Sequence, residues 1–138
     1  MKKIIIVCII SIILFYILLP DYEFSHYHFS NQDKYITKIE YKSVIFGNST
    51  YFTDGKYNKR SVPNSFVKPI YSGIDGGYDV VLHAVEGKLY IYGYNGYFET
   101  KNLSENFVFD KLKSDKANSE RWKEMINDNT GVYIHVFY

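Results

Sequence analysis

Apolar and polar positions divide this chain into two unequal parts. Ile4 to Leu19 is an almost unbroken apolar run, preceded by Lys2 and Lys3 and closed by Pro20. From residue 35 onward the apolar positions recur instead with a period near two, which is the signature of strands. Tyr35, Thr37, Ile39, Tyr41, Ser43 and Ile45 alternate with Ile36, Lys38, Glu40, Lys42 and Val44. The second set is mostly charged, so the pattern predicts one wet face and one packed face. Gly47-Asn48 breaks the run, Tyr51-Phe52-Thr53 follows, and Asp54-Gly55 is a hairpin turn signal. Phe66-Val67 and Ile70-Tyr71 form a short apolar piece interrupted by Pro69, and Gly73 to Gly77 reads as a loop. Tyr78 to Val85 predicts a strand, Glu86-Gly87 turns it into Lys88 to Tyr94, and Asn95-Gly96 turns that into Tyr97 to Thr100.

One late helix is expected. Ser114 or Asp115 can cap it, and Ala117, Arg121, Trp122, Met125 and Ile126 recur at helical spacing. Asn127 to Gly131 ends it, and Val132 to Tyr138 alternates as a terminal strand. The expected fold is α+β: a mainly antiparallel β-sheet with one late amphipathic helix packed on it, preceded by an N-terminal transmembrane helix. Residues 1–20 form the membrane anchor or uncleaved signal, 21–34 a stalk or edge segment, and 35–138 a β-rich exported domain.

The N-terminal run lies between two known types of segment. A cleaved signal peptide has an apolar stretch of roughly 7–15 residues and a small-x-small cleavage site. A spanning helix needs roughly 17–25 apolar residues. After Leu19 the chain reads Pro20, Asp21, Tyr22, Glu23, Phe24, Ser25, His26, with no pair of small residues two apart, so retention is favoured. Lys2 and Lys3 place the N-terminus in the cytoplasm by the positive-inside rule. The domain then faces outward, across a bacterial inner membrane, into the periplasm or outside the cell. Cys8 reads as an apolar residue of the run. It is the only cysteine, so the exported part carries no disulfide framework.

Charge and composition change the picture in two places. The formal net charge is +1, from 16 basic and 15 acidic residues, which argues against a nucleic-acid surface. Aromatic residues reach 19%, mostly Tyr, and Tyr favours both strands and contact surfaces.

Shifting the chain by 41 positions aligns Tyr51 with Tyr92, Asp54 with Asn95, Gly55 with Gly96, Phe66 with Phe107 and Val67 with Val108. This predicts a repeat over about 50–68 and 91–109: an aromatic strand, a turn, a returning strand and a Phe-Val anchor. Thr50 to Lys56 with Ser65-Phe66, and Leu89 to Tyr92 with Asn95-Gly96 and Phe107, resemble the repeat of the DKNYY family. The Asp-Lys-Asn opening of that repeat is absent from both copies. The resemblance covers roughly Ser43 to Leu112. It implies an exported or anchored β-rich bacterial protein without an established catalytic role.

Candidate chemistry is sparse. His26 and His28, two apart on one strand face, are a possible metal pair that would need a third and a fourth ligand, and His83 and His135 are the only other histidines. Ordinary core and juxtamembrane histidines explain the four more simply, and no metal or cofactor is expected. Asp75, Asp79 and Glu86 lie close in sequence and could serve acid/base chemistry. Ser72 to Gly77 lacks the Lys-Ser/Thr and following helix of a phosphate loop. No Gly-x-Ser-x-Gly occurs. Asn48-Ser49-Thr50 and Asn102-Leu103-Ser104 are sequons that matter only in a eukaryotic source.

The aromatic positions are the better clue. Tyr90, Tyr92 and Tyr94 share one strand face opposite Leu89 and Ile91, and Tyr97 and Phe98 follow across the turn. These five are the candidate binding residues. The alternative is cross-strand Tyr packing that only stabilises the sheet. The expected function is non-enzymatic: a membrane-anchored envelope protein that binds another protein, in concrete form an immunity protein against a periplasm-acting toxin. An envelope carbohydrate- or lipid-binding module is the alternative.

Overall fold

The computed structural model describes residues 2–70, 77–94, 96–112, 120, 121, 123, 124, 127 and 131–137. Helix α1, Lys2–Leu18, has no polar face beyond its two lysines. Pro20 disfavours helical backbone at Leu19 and ends it. The described side chains from Ile5 to Leu19 are bare on every side, with large apolar residues 41–73% exposed. Seventeen residues rise about 25 Å at ~1.5 Å each. Among the described residues no helix is long and apolar enough to cross a membrane.

Nine strands follow among the described residues: β1 Asp21–Phe29, β2 Lys34–Lys42, β3 Ser49–Asp54, β4 Phe66–Ile70, β5 Gly77–Val85, β6 Lys88–Tyr94, β7 Tyr97–Lys101, β8 Phe107–Lys111 and β9 Gly131–Phe137. They form two sheets. Sheet A has the order β1-β2-β3-β4-β7, and sheet B the order β8-β6-β5-β9. All pairings are antiparallel except β6 with β8. The fold is thus α+β and dominated by antiparallel sheet. Two sheets stand where one was expected, each covering a face of the other; the packing of the expected late helix falls largely on residues outside those described.

The core is the seam between the sheets. Phe29, Ile36, Phe52 and Val67 from sheet A meet Val80, Leu82, Ala84, Leu89, Ile91, Phe107 and Ile134 from sheet B. Alternation dictates this, since residues two apart share a face. The same alternation corrects the reading of β2. Ile36, from the set expected to be wet, is fully buried in the seam. Thr37 and Ile39, from the packed set, are buried on the opposite, outer face, where Ile39 meets Tyr51 and Phe66. Charge on the seam side of β2 is tolerated because Lys38 and Glu40 pair with each other at 2.9 Å. Ser43 and Ile45 belong to the turn after β2, not to the strand.

Residues 21–29 are the edge strand rather than a stalk, paired with β2 from Asp21↔Lys42 to Phe29↔Lys34. The β5–β6 hairpin forms as expected. Glu86 and Gly87 take φ of 50° and 76°, the left-handed pair that a two-residue turn needs. The other two turn signals behave differently. Asp54-Gly55 ends β3, with the Gly55 amide donating to Tyr35 O at 2.8 Å, and β4 begins only at Phe66. β6 and β7 do not pair as a hairpin. β7 leaves sheet B and pairs with β4 in sheet A, from Phe66↔Lys101 to Ile70↔Tyr97. It thereby serves as the crossover that lets β6 and β8 run parallel.

Glu120, Arg121, Lys123, Glu124 and Asn127 are helical and exposed, within the span of the expected late helix. Its predicted cap and apolar positions, Ser114, Asp115, Ala117, Trp122, Met125 and Ile126, lie outside the described residues, as do Tyr71, Asp75, Asn95 and Tyr138.

Candidate functional site

The five aromatic candidates do not form one patch. Tyr90, Tyr92 and Tyr94 line the outer face of sheet B, as their spacing requires. Tyr97 lies at the start of β7 in the other sheet, 63% exposed, with Lys111 Nζ 4.9 Å from its ring centre. Phe98 turns toward the seam, edge-on to Tyr78 at 6.3 Å and beside Phe109 at 5.1 Å. Gly93 leaves room for it: a Cβ there would meet the Phe98 ring at 2.7 Å.

On the outer face of sheet B, the Tyr90 and Tyr92 rings stack with centres 5.7 Å apart and planes 5° apart. Arg121 sits over Tyr92, 5.4 Å from its ring centre, and lies 3.7 Å from Asp110. Burial raises the Tyr92 pKa, and the Arg121 charge works against that rise. Tyr92 keeps only 7% of its surface, whereas Tyr90 and Tyr94 are half-buried. The ladder is therefore a stacked Tyr floor capped at its centre by an arginine.

β5 and β9 extend this face. Asp79 Oδ1 accepts from the Tyr133 hydroxyl at 2.7 Å and from His135 Nδ1. Register explains the cluster, because Asp79 stands opposite both Tyr94 and His135. Burial first, and then the bond and the negative charge of Asp79, push the Tyr133 phenol up to about 12. A phenol held protonated in this way is not an activated nucleophile. The chemistry fits a polar clamp between two strands better than a reaction centre.

The histidines fall into two pairs on opposite sides of the sandwich. His26 Nδ1 is 2.9 Å from Thr37 Oγ1 on the outer face of sheet A. His28 stacks on Tyr35 at 4.3 Å and pairs with Asp33 at 3.2 Å. His83 and His135 face outward from sheet B. Among the described residues no three His, Cys, Asp or Glu side chains gather as a metal site. Asp79 and Glu86 lie toward opposite ends of β5 and do not face each other.

Sequence reasoning missed two features. The outer face of sheet A is a second aromatic surface, where Tyr22 stacks near Phe24 and edge-on to Tyr41. Cations lie over several of its rings, with Lys56 4.3 Å from Tyr35 and Lys68 5.4 Å from Tyr51. Thr37 ties this face to the following loop: its buried hydroxyl donates to Gly55 O at 2.6 Å and accepts from Tyr57 N at 3.1 Å. Alternation in β1 and β2 marked these positions as co-facial, but nothing local marked the loop that folds over them. A shallow pocket of about 260 Å³ opens among Asp33, Lys34, Tyr35, Asp54, Gly55, Leu89 and Asn106.

The two segments of the expected repeat are surrounded differently. Phe66 lies on the outer face of sheet A, Phe107 in the seam. Comparison of the chain with protein families, with curated proteins and with solved structures returns no match.

Proposed function

We propose that this is a non-enzymatic, membrane-anchored envelope protein whose β-sandwich binds another protein, in its concrete form an immunity protein that occludes an incoming toxin. α1 inserts in the bilayer. Its shortfall against a hydrocarbon core of ~30 Å is met by local thinning of the bilayer. A helix apolar on all sides needs such a cover. The domain sits outside the cytoplasm, as the two lysines direct.

One observation carries the binding reading: the Tyr90–Tyr92–Tyr94 floor with Arg121 over its centre. Tyr and Arg are the residues that dominate interface energetics, and here they are held in place before any partner arrives. The near-neutral overall charge leaves recognition to local features. Stacked tyrosines also suit a flat sugar ring, which is the alternative. The Arg121 cap over Tyr92 counts against it, because a sugar needs the open ring face.

The test is affinity capture of the full-length protein from its native membrane, beside a Tyr90→Ala/Tyr94→Ala variant. A stoichiometric protein held by the native chain and lost by the variant supports the reading. Retention on peptidoglycan, with no protein held, moves the function to the carbohydrate alternative.

A further inference from the structure

The turn between β2 and β3 presents three consecutive apolar side chains to solvent. Val44, Ile45 and Phe46 are 76%, 58% and 79% exposed. This is a built turn rather than a loose one. Ser43 Oγ accepts from the amides of Ile45 at 3.3 Å and Phe46 at 3.2 Å. Ser43 O accepts from Gly47 N at 3.0 Å, and Gly47 closes the turn with φ of 73°. The backbone is satisfied from within, so the side chains at 44–46 are not needed to form it.

Register fixes where this turn lies. Asp21, the first strand residue after α1, pairs with Lys42, the last strand residue before the turn. Only Leu19 and Pro20 separate α1 from Asp21, a reach of about 10 Å at most. The apolar turn and the apolar helix therefore leave the same end of sheet A. Following the antiparallel ladder across the sheet brings the end of β4 and the start of β7 to that end as well. There Ile70 and Tyr97 stand opposite each other, both exposed. Lys42, paired with Glu23 at 2.8 Å, lies at this end too, and Lys111 lies beside Tyr97.

We infer that Val44, Ile45 and Phe46 are a second lipid contact, dipping into the same bilayer face from which α1 emerges, with Tyr97 at the interface. An ordered apolar tip flanked by an aromatic residue and lysines is what the interfacial zone accepts. The consequence is a domain held at two points, so that its orientation on the membrane is set and the face of sheet B is aimed rather than freely tumbling. The inference rests on the anchoring reading of α1, and the experiment separates the two.

The full chain is reconstituted in phosphatidylethanolamine/phosphatidylglycerol vesicles. Nitroxide is placed at the native Cys8, or, in a Cys8→Ser background, at Phe46→Cys, Val44→Cys or Val62→Cys. Collisions with oxygen and with a water-soluble nickel chelate report depth. The expected result is loss of nickel collisions at Cys8, Phe46→Cys and Val44→Cys, and full nickel access at Val62→Cys, an exposed apolar position on the loop at the other end of sheet A. Cys8 in lipid with positions 44 and 46 as wet as position 62 overturns the second contact and leaves the anchor. Cys8 in water with positions 44 and 46 in lipid overturns the anchor and leaves the tip. All positions in water overturn both.

Discussion

Phe52 and Phe46 belong to the same arm of sheet A and answer opposite demands. Phe52 lies in the seam between the sheets with none of its surface exposed. Phe46, in the turn just before β3, is 79% exposed. Both are large apolar side chains, six residues apart. The difference is that one is covered by the protein and the other is not. The seam stabilises the fold; the 44–46 turn contributes little to folding, because Ser43 and Gly47 already hold its backbone.

The sharpest way to break this comparison is to remove each side chain in turn. Phe52→Ala should cost about 3–5 kcal/mol in urea unfolding, since a buried ring leaves a cavity that the two sheets cannot fully close. Thr37→Val comes next, at roughly 1–3 kcal/mol, because Gly55 O and Tyr57 N each lose a buried partner. An unchanged midpoint for Thr37→Val would mean that the loop after β3 is not tied to sheet A as described. Tyr133 gives a smaller effect with a defined pH window. Its pKa is raised from 10.0 to about 12 in the folded protein, so its contribution is fully present below pH 10 and is lost as pH rises from there toward 12. The stability difference between the native chain and Tyr133→Phe should shrink across that window, and a constant difference would mean that burial and the Asp79 bond do not hold the phenol protonated. Phe46→Ser should change stability least, within about 0.5 kcal/mol. A loss above that would place Phe46 in the fold and not at a surface kept for something else.

How much of this was legible follows from how local each feature is. The β5–β6 hairpin could be read, because period-two alternation and Glu86-Gly87 lie side by side. Tyr90, Tyr92 and Tyr94 were placed together for the same reason. Tyr97 and Phe98 were not, because the chain changes sheets just before them and no turn residue announces that. β8 went unseen: it is five residues long and pairs in parallel with β6 across an intervening strand of the other sheet. Asp79 and His135 stand far apart in the chain and meet only through the β5–β9 register. The faces of β2 misled because both are packed, one on the seam and one beneath its own aromatic neighbours. Alternation gives the period and not the direction of the core.

The place of the β5–β6 hairpin between β4 and β7 also makes one order of assembly cheaper than the other. β4 and β7 pair with each other, yet the whole hairpin lies between them in the chain. Closing sheet A before the hairpin forms means trapping an open loop at full entropic cost; closing it afterwards shortens the effective loop to its flanking residues. A two-residue turn forms in about 1–10 μs, well ahead of long-range pairing. If the hairpin belongs to the folding nucleus, changes at Glu86-Gly87 should slow folding, whereas changes at the Phe66↔Lys101 end should mainly speed unfolding, which stopped-flow refolding of the two variants would read.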